Sequence, residues 1–264
     1  MRTLPRAHHR AAPAPPDHAG TLLRLLGAYP GPSAALGSVA ALAGVSRPVA
    51  RAAVTRLAAD GLVDTVGGRV VVPPGLRAAT AGTAETRAAR DRLLQHLLTR
   101  AIAAAAVASP DGPAIALPPF RSAAGARSWL AAELPTLLAV RDPGFALRLA
   151  PALGDQLADD DALLLYQRAA AGGDPEMRLR LGLTLCRLGR DREGAEQLRA
   201  ALPGLDQPAD RAAALLQLAG CRDRQGRRVE ALAWYAEAYE ACLRVGDQVG
   251  RAVALRRLRT GAAA

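Results

Sequence analysis

The sequence predicts a mainly α protein in which a winged helix-turn-helix is followed by a helical connector and a tetratricopeptide-like α-solenoid. Three observations predict it. Half of the residues are hydrophobic yet only 3% are aromatic, and the surplus is alanine, the best helix former and small enough to let helices touch. After the first 19 residues the apolar positions recur at helical spacing, and only one short region alternates as a strand would. Gly189 and Gly226, each set between apolar helical stretches, lie 37 residues apart, near the roughly 34-residue period of the tetratricopeptide repeat.

Each element follows in order. Residues 1–19 hold Pro5, Pro13, Pro15 and Pro16 among arginine, histidine and alanine and are expected to be a disordered arm. Residues 20–76 are expected to form the winged helix-turn-helix. Leu22, Leu23, Leu25 and Leu26 give a first helix from Thr21, stopped at Tyr29-Pro30-Gly31-Pro32. Ser38 is the cap expected for a second helix, with Val39, Leu42 and Ala43 inward and Gly44 at its end. Ser46 caps a third, with Pro48 in its first turn and Val49, Ala53, Val54 and Leu57 as the inward stripe to Asp60-Gly61. Leu62–Thr65 and Arg69–Val72 are strand-like runs around Gly67-Gly68, which supply the positive φ of a tight hairpin. That hairpin, the wing, is the only sheet expected.

Residues 77–140 are a helical connector: Leu93, Leu94, Leu97, Leu98 and Ile102 recur within 85–108, a proline-rich break runs from Pro110 to Pro119, and a helix carries Trp129 to Leu134. Residues 141–264 hold the repeats. Leu181, Gly182, Gly194, Leu198, Ala201 and Leu202 form one unit and Leu218, Ala219, Ala231, Leu232, Tyr235 and Ala238 the next, with small residues where helices meet and large ones between pairs. Leu149, Ala150, Leu153, Ala162, Leu163, Tyr166 and Ala169 outline an earlier degenerate unit, and 248–258 a polar closing helix.

The 34 basic residues are all arginine and the net charge is +10, an electropositive surface suited to nucleic acid, acidic partners or anionic lipid. Three cysteines, Cys186, Cys221 and Cys242, in helical sequence without CxxC spacing indicate neither a disulfide framework nor a zinc site, and they read as small apolar residues with no cationic neighbour. Neither a signal peptide nor a membrane span is expected, which places the chain in the cytoplasm. No catalytic constellation is found, so no enzyme, cofactor or metal is expected. His8, His9 and His18 fall in the arm and His96 stands alone, while Asp159-Asp160-Asp161 ahead of an apolar helix reads as a cap and dipole partner rather than a metal ligand set.

Two surfaces are candidate sites. On the third helix Ser46, Arg47, Ala50, Arg51 and Thr55 are expected on the open side, with Arg56 and the wing residue Arg69 reaching phosphates, an arrangement suited to a major groove. In the repeats the inner face would carry Leu183, Arg187, Gly220, Asp223 and Arg224, where Arg187 and Arg224 occupy equivalent places able to hold an acidic peptide.

Three stretches resemble the AfsR-like actinobacterial regulators. Leu23–Pro32, with Ala40–Gly44 after it, is similar to the start of that family's winged helix; Ala126–Leu137, with Trp129-Leu130 and Glu133-Leu134, to its segment ahead of the repeats; and Gly226–Ala241 to its repeat helices. The resemblance implies a transcription-regulatory protein coupling a winged helix-turn-helix to a protein- or peptide-binding array. The family's ATPase needs a Gly-Lys-Ser or Gly-Lys-Thr loop that a chain without lysine does not supply, so nucleotide hydrolysis is not expected. Within the family this winged helix is usually an internal regulatory element, and a non-DNA-binding adaptor or regulatory subunit is the alternative expectation.

Overall fold

Alanine-rich amphipathic segments fold as helices along most of the chain: a computed structural model describes residues 17–78, 82–109 and 119–262, which hold thirteen α-helices and three short strands. Of the arm expected at 1–19, residues 1–16 lie outside the described residues, as does most of the proline-rich break, while Asp17, His18 and Ala19 are not disordered but cap and begin the first helix. No helix among them is long and apolar enough to cross a membrane. The chain divides into two compact units, parting between Leu93 and Leu94.

In the first unit α1 (His18–Leu26) begins three residues earlier than Thr21, because the Asp17 carboxylate accepts the Gly20 amide at 3.0 Å and caps it. Leu22, Leu25 and Leu26 are its buried face. Next come strand β1 (Ser33–Ala35), α2 (Leu36–Ala43) and α3 (Arg47–Ala59). Ser38 is not the cap of α2: it is a buried interior residue, and Ala35 enters the helix straight from β1 with no side-chain bond. Gly44, at φ 70°, ends α2. The Arg92 guanidinium on α5 (Ala84–Ala108) donates to the Leu42 carbonyl at 3.0 Å and closes the end of α2. Pro48 lies in the first turn of α3, and Ala50, Ala53, Val54 and Leu57 are its buried stripe against α1 and α2. Ala50, expected on the open side, is 0% exposed, while Val49 is only half-buried. Ala53, Val54 and Leu57 are inward as expected, and only the first position of the stripe moves, from Val49 to Ala50.

β2 (Asp64–Val66) and β3 (Arg69–Val71) form the hairpin, turned by Gly67 and Gly68 at φ 57° and 74°. The sheet is larger than the expected hairpin: β1 adds to β3, giving the antiparallel order β1-β3-β2 with Ala34 opposite Val70. A three-residue Ser-Ala-Ala strand shows no alternation to read. Arg69 fixes it, its Nε donating to Ser33 Oγ and a terminal nitrogen to the Ser33 carbonyl, both at 2.9 Å. The short α4 (Pro74–Ala78) follows.

In the second unit Ala104 and Val107 of α5 pack on Phe120 and on Ala126 of α6 (Ala123–Ala139). The Arg100 guanidinium lies 5.1 Å from the Phe120 ring and 5.2 Å from that of Trp129. Seven helices complete the chain: α7 (Pro143–Leu153), α8 (Asp159–Ala170), α9 (Pro175–Arg187), α10 (Asp191–Ala201), α11 (Pro208–Arg224), α12 (Arg228–Val245) and α13 (Gln248–Ala262). Each packs on the next in chain order, and α11 also touches α9 and α13. Leu179, Leu198, Leu215 and Leu218 centre one buried cluster spanning α9–α12. Asp142 and Asp174 cap α7 and α9 through their carboxylates, each with a proline at the first helical position. The α9–α10 crossing is backbone-close. A Cβ on Gly182 would meet Leu198 Cγ at 2.7 Å and the Gly194 carbonyl at 3.2 Å, so only glycine fits there.

Candidate functional site

On α3 the residues Arg47, Arg51 and Thr55 fall at successive turns of one helix face, with Arg56 beside Thr55. All four are exposed and, with Pro48, Ala52 and Ala59, line one open, shallow concavity. Ser46 stands at the cap position without a side-chain cap bond and is exposed. Among the described residues no carboxylate lies within ion-pair distance of Arg47, Arg51 or Arg56. Arg69 differs. It is half-buried and its guanidinium holds Ser33.

The two arginines expected on the inner face of the repeats are neutralised instead. Arg187 donates to Asp159 at 2.9 Å and to Thr184 Oγ1 at 3.1 Å. Arg224 grips both oxygens of Asp191, at 2.9 and 2.7 Å. Asp159 and Asp191 are the first residues of α8 and α10, so each arginine links the end of one pair's first helix to the start of the preceding pair's second helix. Asp223, near the end of α11, pairs with Arg257 on α13 at 3.3 Å. The Arg224 guanidinium holds the Asp191 carboxyl below the usual carboxylate range. Leu183 is half-buried against the α9–α12 core, and a Cβ on Gly220 would lie 3.3 Å from the Arg224 guanidinium. The five groove residues thus share α9 and α11, and their charged members already have carboxylate or guanidinium partners. Asp159, Asp160 and Asp161 fill the first turn of α8, with Ala158 and not an aspartate at the cap.

One cluster was not legible as a site. Cys186 on α9 and Cys221 on α11 bring their sulfurs to 2.7 Å, and Arg224 stands 3.5 Å from Cys221 Sγ. This corrects the expectation that the cysteines lack a cationic neighbour. With an Asp191 oxygen the two sulfurs form the one group of metal-capable ligand atoms among the described residues, all within 4.8 Å. The signal was the 35-residue spacing, close to one repeat, which places both thiols on the same side of successive first helices. Cys242 lies apart, its thiol 3.7 Å from Asp247 and pushed up by burial. Comparison of the chain with protein-family models, with characterised proteins and with solved structures finds no match.

Proposed function

We propose that the chain is a non-enzymatic regulatory protein that contacts DNA through α3 of a winged helix-turn-helix, with β2–β3 as its wing, and offers a tetratricopeptide-like array to a protein or peptide partner. The observation that carries this reading is the contrast in arginine use. Arg187 and Arg224 of the helix pairs are held by Asp159 and Asp191, whereas Arg47, Arg51 and Arg56 stand exposed on one helix face with no carboxylate partner among the described residues. Unneutralised guanidiniums at the start of a helix that follows a helix and a tight turn suit base edges and phosphates. The resemblance to AfsR-like regulators supports the pairing of such a head with a repeat array.

In this reading Arg47 and Arg51, one turn apart, reach bases, Arg56 reaches a phosphate, and Ser46 and Thr55 contribute hydroxyls. Arg69 holds the wing to β1. Fluorescence titration of the full chain against its own promoter-region duplex and an unrelated duplex, over a range of salt, tests it. Tight binding to one duplex with a steep salt dependence is expected. Arg51→Ala should lose about 1–3 kcal/mol and relax sequence preference, while Arg56→Ala weakens both duplexes alike. Weak, sequence-independent binding that Arg51→Ala leaves untouched overturns the DNA reading and leaves the adaptor in its place.

A further inference from the structure

We infer that Cys186 and Cys221 are a peroxide-sensitive dithiol that closes into a reversible disulfide joining α9 to α11. The sulfurs, 2.7 Å apart, are already closer than non-bonded contact and within about 0.7 Å of the disulfide bond length of about 2.05 Å. The space around them is kept open: a Cβ on Gly194 would stand 2.6 Å from Cys186 Sγ. The two thiols are unequal. Cys186 is half-buried and reachable from solvent, while Cys221 is 0% exposed. The hydrogen bond between the two sulfurs holds the Cys186 thiol below its ordinary value and, with burial, the Cys221 thiol above it. Burial and the Asp191 carboxylate oppose the Cys186 thiolate, and the Arg224 guanidinium beside the pair favours it.

The same guanidinium argues against a metal. Both Asp191 oxygens are bound by Arg224, so a metal ion there would have to displace the guanidinium or bear its repulsion at close range.

The chemistry balances with a hydroperoxide as oxidant. The Cys186 thiolate attacks the terminal peroxide oxygen and the O–O bond breaks. Cys186 becomes a sulfenic acid and, for hydrogen peroxide, water leaves after protonation. The Cys221 sulfur then attacks the sulfenic sulfur, the S–O bond breaks, and the departing hydroxide takes the Cys221 proton as a second water. Two thiols are oxidised, one peroxide is reduced, and a dithiol reductant reverses the change.

The test uses the reduced full chain treated with equimolar hydrogen peroxide and then denatured for thiol titration and peptide mapping. Titratable thiols should fall from the three of the sequence to one, the linked peptides should carry Cys186 and Cys221, Cys242 should be alkylated, and dithiothreitol should restore all three. In urea the same treatment should lose its selectivity and yield all pairings. Cys221→Ser should accumulate a sulfenic acid on Cys186 that a 1,3-dione traps, and Cys242→Ser should oxidise as the native chain does. Persistence of all three thiols, a cross-link that includes Cys242, or sulfinic acid at Cys186 with Cys221 free would each overturn the inference. The native-chain outcomes decide it even if a serine variant fails to fold.

Discussion

Gly182 and Gly194 set the distance between α9 and α10, and the next helix pair has alanine at the matching positions, Ala219 and Ala231, both almost fully buried. The two pairs thus differ at this contact by a single methyl group per helix. Gly182→Ala should lower the stability of the fold by about 1–3 kcal/mol, the usual effect of overpacking a tight contact, read as a lower urea midpoint. A second residue-scale expectation concerns Asp191. Its carboxyl is held below its unfolded value by the Arg224 guanidinium, so the ion pair stabilises the fold at pH above the ordinary carboxylate value of about 4, and that contribution disappears as pH falls through the folded value. The pair is partly exposed, so the effect is modest. In melts across acidic pH the native chain and Arg224→Gln should differ at neutrality and converge in acid. Neither partner was readable from the sequence. Arg187 and Arg224 were visible as equivalent residues, but their aspartates lie 28 and 33 positions upstream, and nothing local marks them.

Among the elements, α3 was the most legible, because Ser46, Pro48 and Asp60-Gly61 punctuate it on both sides. Only its first inward position was less so. Alanine carries little hydropathic contrast, so Ala50 inside and Ala52 outside look alike in sequence, and only contact with α1 and α2 separates them. The exposed set Arg47, Arg51 and Thr55 was read from helical spacing alone. β1 was invisible for a different reason: its place depends on Arg69, 36 residues away. That dependence yields a third expectation. Arg69→Ala removes two hydrogen bonds to Ser33 and should cost about 1 kcal/mol, seen as faster amide exchange at 33–35 and 69–71 with exchange in α1 unchanged. Faster exchange throughout α1–α3 would show that β1 supports the helices as well as the sheet.

Over the whole molecule, the order of helices was legible because an alanine-rich chain with one alternating segment leaves little else to build. What each surface residue meets was not, since ion pairs and thiol contacts arise between successive pairs. The turns that join the helices within the last two pairs are nearly copies: Gly189 and Gly226 share φ 73°. Their amides bond back to Cys186 and Asp223, and the following Arg190 and Arg227 amides to Leu185 and Arg222, at 2.9–3.1 Å. Two closely matching junctions make the 37 residues from Arg190 to Gly226 a cassette. A second copy inserted after Gly226 would leave through the same turn by which it entered, carrying its own Asp191–Arg224 rung. Such an extended chain should fold with unchanged mean residue ellipticity and a larger radius of gyration by small-angle scattering, while aggregation would show that the two junctions are not interchangeable. Recombination between the two glycine codons would lengthen or shorten this protein by whole helix pairs without breaking a helix.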